Sequence, residues 1–224
     1  MKWLLLLLVF FAGCAAPPAR PPSAPAEDIN ASWYLQAESA GKKILRIDAQ
    51  QSLIAITVHR GGSLARLGHD HVVASRGITG FAAPDDGRAD FRFRLDEMTV
   101  DEPELRREAG FDTQPPIEAI EGTRRNMLNK VLEADSYPLV LLHAERVAGA
   151  DSMLRLTITL HGVMRTMDVP TRFEDTPSGL TASGTLSLLQ SEFGITPMSV
   201  MGGAIKVLDQ MDLRFRVVAR GVPR

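Results

Sequence analysis

Alternation of apolar and polar residues is the feature that most constrains the fold of this chain. From residue 44 onward, apolar or small side chains occupy every second position in five segments, at 54–58, 91–95, 154–160, 180–188 and 211–217. Successive side chains of a β-strand point to opposite faces of the sheet, so each segment predicts a strand with one apolar face. The folded part of the chain is therefore expected to be mainly β.

Turn-forming sequences separate the predicted strands. Pro-Asp-Asp-Gly at 84–87, Gly-Ala-Asp at 149–151 and Pro-Ser-Gly at 177–179 combine residues that favour tight reversals. Short connections of this kind join antiparallel neighbours. We count about eight strands, which is the number that closes a small barrel. The sequence thus predicts an antiparallel β-barrel.

One segment, 104–137, has the period of a helix instead. Ile117, Ile120, Met127 and Val131 recur at helical spacing and would form one apolar stripe. Pro138 follows, and proline cannot continue a helix. We predict a single helical crossover from Ile117 to Ala134, with its stripe buried against the barrel.

The amino terminus has the parts of a secretory signal. A charge at Lys2 precedes nine apolar residues, 3–11, and the small pair Ala12-Gly13. Nine residues are too few to span the roughly 30 Å hydrocarbon layer as a helix. The tetrapeptide Phe-Ala-Gly-Cys ending at Cys14 resembles the bacterial lipobox, although phenylalanine stands where leucine is usual. We predict a signal peptide at 1–13 and lipid attachment, of the palmitate type, at Cys14. The alternative is an ordinary signal peptide with an incidental cysteine.

The predicted anchor sets the organisation of the rest. Cys14 is the only cysteine, so an intramolecular disulfide cannot form and the folded part must depend on its own core. Residues 14–40 are predicted to form a tether, because the stretch 15–26 contains five prolines and such segments stay extended. Residues 41–222 would form the folded domain. An acylated Cys14 would anchor the protein to a membrane, with the folded domain facing the periplasm. Ala15 directly after the cysteine favours the outer membrane as the site of this anchor.

Charge argues against nucleic acid as a partner. The chain has 25 lysines and arginines against 27 aspartates and glutamates, and no run of basic residues is interleaved with aromatics. A membrane-spanning barrel would show the same alternation. The acylated terminus, the mid-chain helix and the presence of only two tryptophans and two tyrosines favour a barrel in water over one in the bilayer.

Several short motifs carry a family resemblance. They are Ile47-Asp48 with Ser52, Ile56, Val58 and His59; Ala-Asp-Ser-Tyr-Pro at 134–138; Leu-His-Gly-Val-Met-Arg at 160–165; Ser-Glu-Phe-Gly-Ile at 191–195; Gly202-Gly203; and Val-Leu-Asp at 207–209. In this order they resemble the YceI-like domain over about residues 44–220, with Met164 where the family often has threonine. The resemblance implies a lipocalin-like barrel whose apolar lumen holds one polyisoprenoid or quinone-like lipid.

The residues expected to contact such a lipid lie on the apolar sides of the predicted strands. They are Ile56, Val58, Phe91, Phe93, Leu156, Ile158, Leu186, Leu188, Phe215 and Val217. A dry, apolar lining suits an alkyl or prenyl chain. The same residues at the same spacing would also build a densely packed core, and the pattern alone leaves both interpretations open.

A second candidate site is the sequence Leu-Gly-His-Asp-His at 67–71. On an extended chain His69 and His71 would share one face, which suits two metal ligands, but a catalytic zinc needs a third protein ligand. Alternatively, these histidines and Arg66 would hold the polar head of the lipid. A third possibility is that the histidines pair only with Asp70 and backbone carbonyls. The sequence does not decide between these roles.

Motifs for catalysis are lacking. The chain contains no Gly-x-Ser-x-Gly elbow, no His-Glu-x-x-His helix and no glycine-rich phosphate loop. We therefore predict a binding protein rather than an enzyme, with no firm cofactor apart from a bound lipid. Two alternatives remain, a metal-binding or redox-linked envelope protein and a structural envelope domain without ligand. The oligomeric state stays open, a dimer included.

Overall fold

The computed structural model describes residues 30–176 and 179–221. The predicted signal peptide, Cys14 and most of the predicted tether lie outside these residues. The strands are β1 Leu45–Ile47, β2 Leu53–Gly61, β3 His71–Ser75, β4 Thr79–Ala83, β5 Arg88–Arg94, β6 Thr99–Val100, β7 Leu139–Arg146, β8 Met153–Leu160, β9 Val163–Thr176, β10 Gly179–Leu189, β11 Ser199–Val200 and β12 Ile205–Arg220. The α-helices are α1 Ala31–Ser39, α2 Pro103–Glu108 and α3 Ile117–Asn126, and a π-helical turn Met127–Val131 continues α3. Short 3-10 turns occupy Ala65–Leu67, Pro84–Asp86, Gln190–Phe193 and Met201–Gly203.

The strands form one closed antiparallel sheet. Its order is β1-β4-β5-β7-β8-β9-β10-β12, and the ring closes where Arg46 of β1 pairs with Arg220 of β12. Among the described residues, each strand of this ring has a neighbour on both sides, which protects these strands from pairing with other chains. Within the same residues, the short strand β6 pairs with β3 alone. The predicted antiparallel barrel of about eight strands is confirmed.

Three of the barrel strands are interrupted. β1 and β2 both pair with β12, one after the other, so they are two halves of one strand that is broken at residues 48–52. β3 and β4 are related in the same way on either side of 76–78, and β5 and β6 on either side of 95–98. The breaks therefore lie together in the first half of the ring.

The crossover between β6 and β7 holds two α-helices rather than the predicted one. Ile120, Met127 and Val131 pack against the core as expected, and the Arg124 guanidinium donates hydrogen bonds to the carbonyls of Met98 and Asp96. Ile117 is 60% exposed, so its assignment to the buried stripe is wrong, because it opens the helix ahead of the turns that contact the barrel. Among the helices described between residues 30 and 221, none is long and apolar enough to cross a membrane.

The predicted tether is wrong over its last part, because residues 31–39 form α1. Tyr34 of this helix is fully buried, and its ring stacks on Phe81 of β4 with the centroids 5.3 Å apart. The Tyr34 hydroxyl donates a hydrogen bond of 2.6 Å to Asp90 of β5. Aromatic surface and a buried polar partner thus dock α1 on the outer wall of the barrel, and the folded part begins before residue 41.

Candidate functional site

The interior of the barrel contains two cavities. Cavity 1, of about 100 Å³, reaches the turn between β4 and β5, where Pro84 and Gly87 line it. Cavity 2, of about 230 Å³, lies against the crossover, where Asn126 and Met127 line it. The two cavities share the lining residues Ile54, Leu142, Ile158 and Leu213. They therefore adjoin at a waist near the middle of the barrel.

All ten lining residues predicted from the sequence face these cavities. Phe91, Leu156, Leu186, Phe215 and Val217 line cavity 1, Ile56, Val58, Phe93 and Leu188 line cavity 2, and Ile158 lines both. An apolar cavity of about 150 Å³ can stay dry and bind apolar guests, and cavity 2 is larger than this whereas cavity 1 is smaller. The sequence pattern left two interpretations open for these ten residues, a lining or a packed core. In the structure they surround cavities. Contact between these residues and a ligand stays a prediction.

The sequence missed the contribution of β7 to the lining. Val140, Leu142 and Ala144 face the lumen and are buried, and Leu142 lies at the waist. These residues do alternate, but the outward neighbours Leu139 and Leu141 are also apolar. An apolar residue on both faces hides the period of two, so β7 gave no alternation signal.

Cavity 2 carries the polar groups of the lumen at one end. Its polar lining residues among those described are His71, Thr123, Asn126 and Gln190. The Gln190 side-chain amide donates to the carbonyl of Leu208 at 2.9 Å, which fixes its orientation. Of this set, His71 alone has an ionisable side chain, and 12% of that side chain is exposed.

A buried network fixes the ring of His71. Its Nδ1 lies 2.6 Å from Oδ2 of Asp101, whose side chain is fully buried. The other oxygen, Oδ1, accepts hydrogen bonds from Nη1 of Arg106 at 2.7 Å and from the backbone amide of Val72 at 3.0 Å. Burial by itself would raise the pKa of Asp101, but the hydrogen bonds from His71, Val72 and Arg106 outweigh it and hold that pKa below its usual value.

Arg106 is held as firmly as its partner. Its side chain is 3% exposed, and its guanidinium also donates to the carbonyl oxygens of Asp70, at 2.6 Å, and Thr113. Asp101 itself has φ of 56°, in the left-handed region that few residues other than glycine adopt. Because hydrogen bonds fix both members of the ion pair, the Asp101 carboxylate is a rigid support for the imidazole.

His69 and Arg66, the other predicted polar site residues, are exposed on the surface and do not line either cavity. β3 begins at His71, so His69 precedes the strand, and the ring centroids of His69 and His71 are 6.2 Å apart. Asp70 turns to the other side and accepts a hydrogen bond from the backbone amide of Arg60 at 2.9 Å. Across 30–176 and 179–221, no three His, Cys, Asp or Glu side chains are grouped to hold a metal ion. The metal hypothesis therefore has no third ligand in this part of the chain.

The polar groups of cavity 1 are two arginines. Arg88 donates to Asp90 at 2.8 Å, which also accepts from Tyr34 and lies 2.6 Å from Nδ1 of His143. Burial alone would raise the pKa of Asp90, but these hydrogen bonds, with that of Tyr34 the largest, lower it. Arg146 stacks on Phe173, 4.1 Å from the ring centroid. Arg88 is thus engaged with Asp90, whereas Arg146 pairs with no carboxylate among the residues that the structure describes.

Comparisons with known proteins identify the fold. A polyisoprenoid binding domain from Saccharophagus degradans superposes with a TM-score of 0.58 at 10% sequence identity, over 80% of this chain and 98% of its own. BcnA from Burkholderia cenocepacia gives 0.54 at 15% identity, over 77% of this chain and 98% of its own. At such identities the likeness shows a shared fold. No curated protein sequence matches the chain. The family model of the YceI-like domain matches residues 46–219, so the chain belongs to the YceI-like family.

Proposed function

We propose that this protein is a membrane-anchored periplasmic binding protein that holds one long-chain polyisoprenoid or quinone-like lipid in the lumen of its barrel. The observation that carries the proposal is the pair of adjoining cavities, whose lining is almost entirely aliphatic and aromatic. A lining of this kind excludes water and suits an extended hydrocarbon chain. The polyisoprenoid binding of the Saccharophagus degradans relative, which its name records, supports this ligand class.

Burial of the tail supplies the affinity. Each methylene group removed from water contributes about 0.8 kcal/mol, so a chain with many buried carbons binds without a strong polar contact. The two cavities adjoin at Ile54, Leu142, Ile158 and Leu213, and a tail that passes this waist would occupy both. Specificity would then depend on the head group and on the polar residues that meet it.

Holding a lipid, rather than converting it, is the role we infer. Among the described lining residues, the polar side chains are His71, Thr123, Asn126 and Gln190 in cavity 2 and Arg88 and Arg146 in cavity 1. Such groups can orient a head group by hydrogen bonds. Covalent catalysis also needs an activated nucleophile beside a base, and Thr123 has no imidazole or carboxylate partner among its described contacts.

The ligand can be identified directly. Protein purified from its native host and extracted with organic solvent is expected to release an isoprenoid lipid, in about one copy per chain, that mass spectrometry can identify. The lumen should also take up an added prenol or quinone after delipidation. Protein that repeatedly contains no lipid, and that fails to take up either compound, would contradict the proposed function.

The anchor is a separate part of the proposal and has its own test. Cys14 lies outside the described residues, so its acylation rests on the lipobox-like sequence. Cells grown with labelled palmitate are expected to label the protein and to retain it in the membrane fraction. The Cys14→Ser variant should lose both the label and the membrane association while its barrel still binds lipid. Label that persists in Cys14→Ser would rule out this anchor.

A further inference from the structure

His71 is the one ionisable side chain among the described residues that line cavity 2. Its Nδ1 is engaged with Asp101 at 2.6 Å, and its ring lies near that of His69. No hydrogen bond joins Nε2 to another described residue. Nε2 is therefore the ring nitrogen without a hydrogen-bond partner among the described residues, on a side chain that lines cavity 2.

The surroundings of Asp101 decide which ring nitrogen of a neutral His71 carries the hydrogen. An ionised carboxylate can only accept hydrogen bonds, and Arg106 and Val72 both donate to Asp101. The nitrogen that faces this carboxylate must therefore be the donor, Nδ1–H. In the neutral imidazole the other nitrogen then carries a lone pair.

We propose that Nε2 of His71 is the head-group acceptor of cavity 2 and selects lipids whose head group donates a hydroxyl hydrogen. This inference rests on the proposed binding of a lipid in the lumen, and it narrows the ligand class to prenols and to quinols, the reduced form of quinones. A quinone carbonyl and an ionised phosphate present only acceptors, and a lone pair cannot bond to them.

The position of His71 explains why this contact would discriminate. The head group would leave water when it enters the lumen. A hydroxyl that finds no acceptor there loses its hydrogen bonds to water without replacement, which weakens binding. The arginines of cavity 1 offer the opposite chemistry, since a guanidinium only donates and favours anions. A lipid phosphate would therefore be expected at the other end of the lumen, in cavity 1. If the protein bound a prenyl phosphate more tightly than a prenol, the role proposed for His71 would be contradicted.

Geranylgeraniol and its methyl ether test the inference, because they share a tail and differ in whether the head oxygen can donate. The mature, delipidated protein is expected to bind the alcohol about tenfold more tightly than the ether, as befits one hydrogen bond. The His71→Phe variant should bind both equally. His69→Phe is the matched control, since its ring lies outside the cavity, and it should keep the preference of the wild type.

The tautomer of His71 can be measured in the wild-type protein, without any variant. The imidazole ¹⁵N shifts of the native protein are expected to show His71 protonated at Nδ1, with the Nε2 resonance moving when geranylgeraniol is added and not when the ether is added. Equal affinity for alcohol and ether, stronger binding of geranylgeranyl phosphate, or a ring protonated at Nε2 would each overturn the role of His71 while leaving lipid binding in place. Failure of every one of these lipids to bind would overturn the proposed function as well.

Discussion

Replacing Asp101 with alanine is expected to lower the free energy of unfolding by about 3–5 kcal/mol, since it leaves the buried charge of Arg106 without its partner. Arg106 is 3% exposed, so bulk water has little access to the guanidinium that loses its carboxylate. The variant would also leave Nδ1 of His71 and the amide of Val72 without their acceptor. Because domains of this size are stable by about 5–15 kcal/mol, the loss should be visible in a urea or thermal unfolding curve.

A surface ion pair provides the control for this variant. Asp168 receives two hydrogen bonds from Arg155, and both side chains are about half exposed. Solvent screens such a pair, so Asp168→Ala should leave the free energy of unfolding nearly unchanged. If the two variants unfold alike, the Asp101–Arg106 pair does not support the fold in the way that its burial implies.

Filling the waist of the lumen is expected to abolish most lipid binding without unfolding the barrel. Ile158 lines both cavities, and the larger side chain of an Ile158→Trp variant would occupy space that a ligand tail needs. If about four methylene groups lose their burial at about 0.8 kcal/mol each, binding weakens by about 3 kcal/mol, or about a hundredfold in Kd. Titration with a long-chain prenol would measure this change.

The neighbouring position separates a blocked lumen from a damaged strand. Thr159 follows Ile158 in β8 and points to the outer face, where it pairs with Leu141 and Met164. Thr159→Trp should therefore bind lipid like the wild type. Because the cavities can accept extra atoms, Ile158→Trp should unfold within about 1 kcal/mol of the wild type, whereas a packed core would lose about 1–3 kcal/mol. A stable Ile158→Trp protein that keeps full affinity would contradict a ligand at the waist.

The sequence predicts those features of the structure that depend on interactions between residues close together in the chain. In β8 the outward residues Arg155, Thr157 and Thr159 are polar, so the inward set was predictable from a period of two. The barrel class follows from several such strands. The closing pair of β1 and β12 joins residues near opposite ends of the chain, and no local pattern indicates that register.

The parts that sequence analysis missed depend on distant partners. The helix α1 follows a proline-rich stretch, and it is docked by a hydrogen bond from Tyr34 to Asp90, 56 positions away. The role of His71 likewise depends on Asp101, 30 positions along the chain. His-x-His spacing suggested a pair of equivalent histidines, whereas only one of them has a buried carboxylate behind it. Paired acids and aromatics give no periodic signal by which such contacts could be predicted.

The interrupted strands make the length of the strand pairings differ around the barrel wall. β10 pairs with β12 along all of Gly179–Leu189, whereas the pairs β1–β4, β1–β12 and β3–β6 span two residues each. Segments with fewer shared hydrogen bonds open at a lower free energy than continuous ladders. The wall is therefore expected to open first at the short pairings of β1 and β6, while the long ladders that join β2 to β12 and β5 to β7 persist. A change in the width of the lumen would begin at these breaks and would leave the rest of the wall paired.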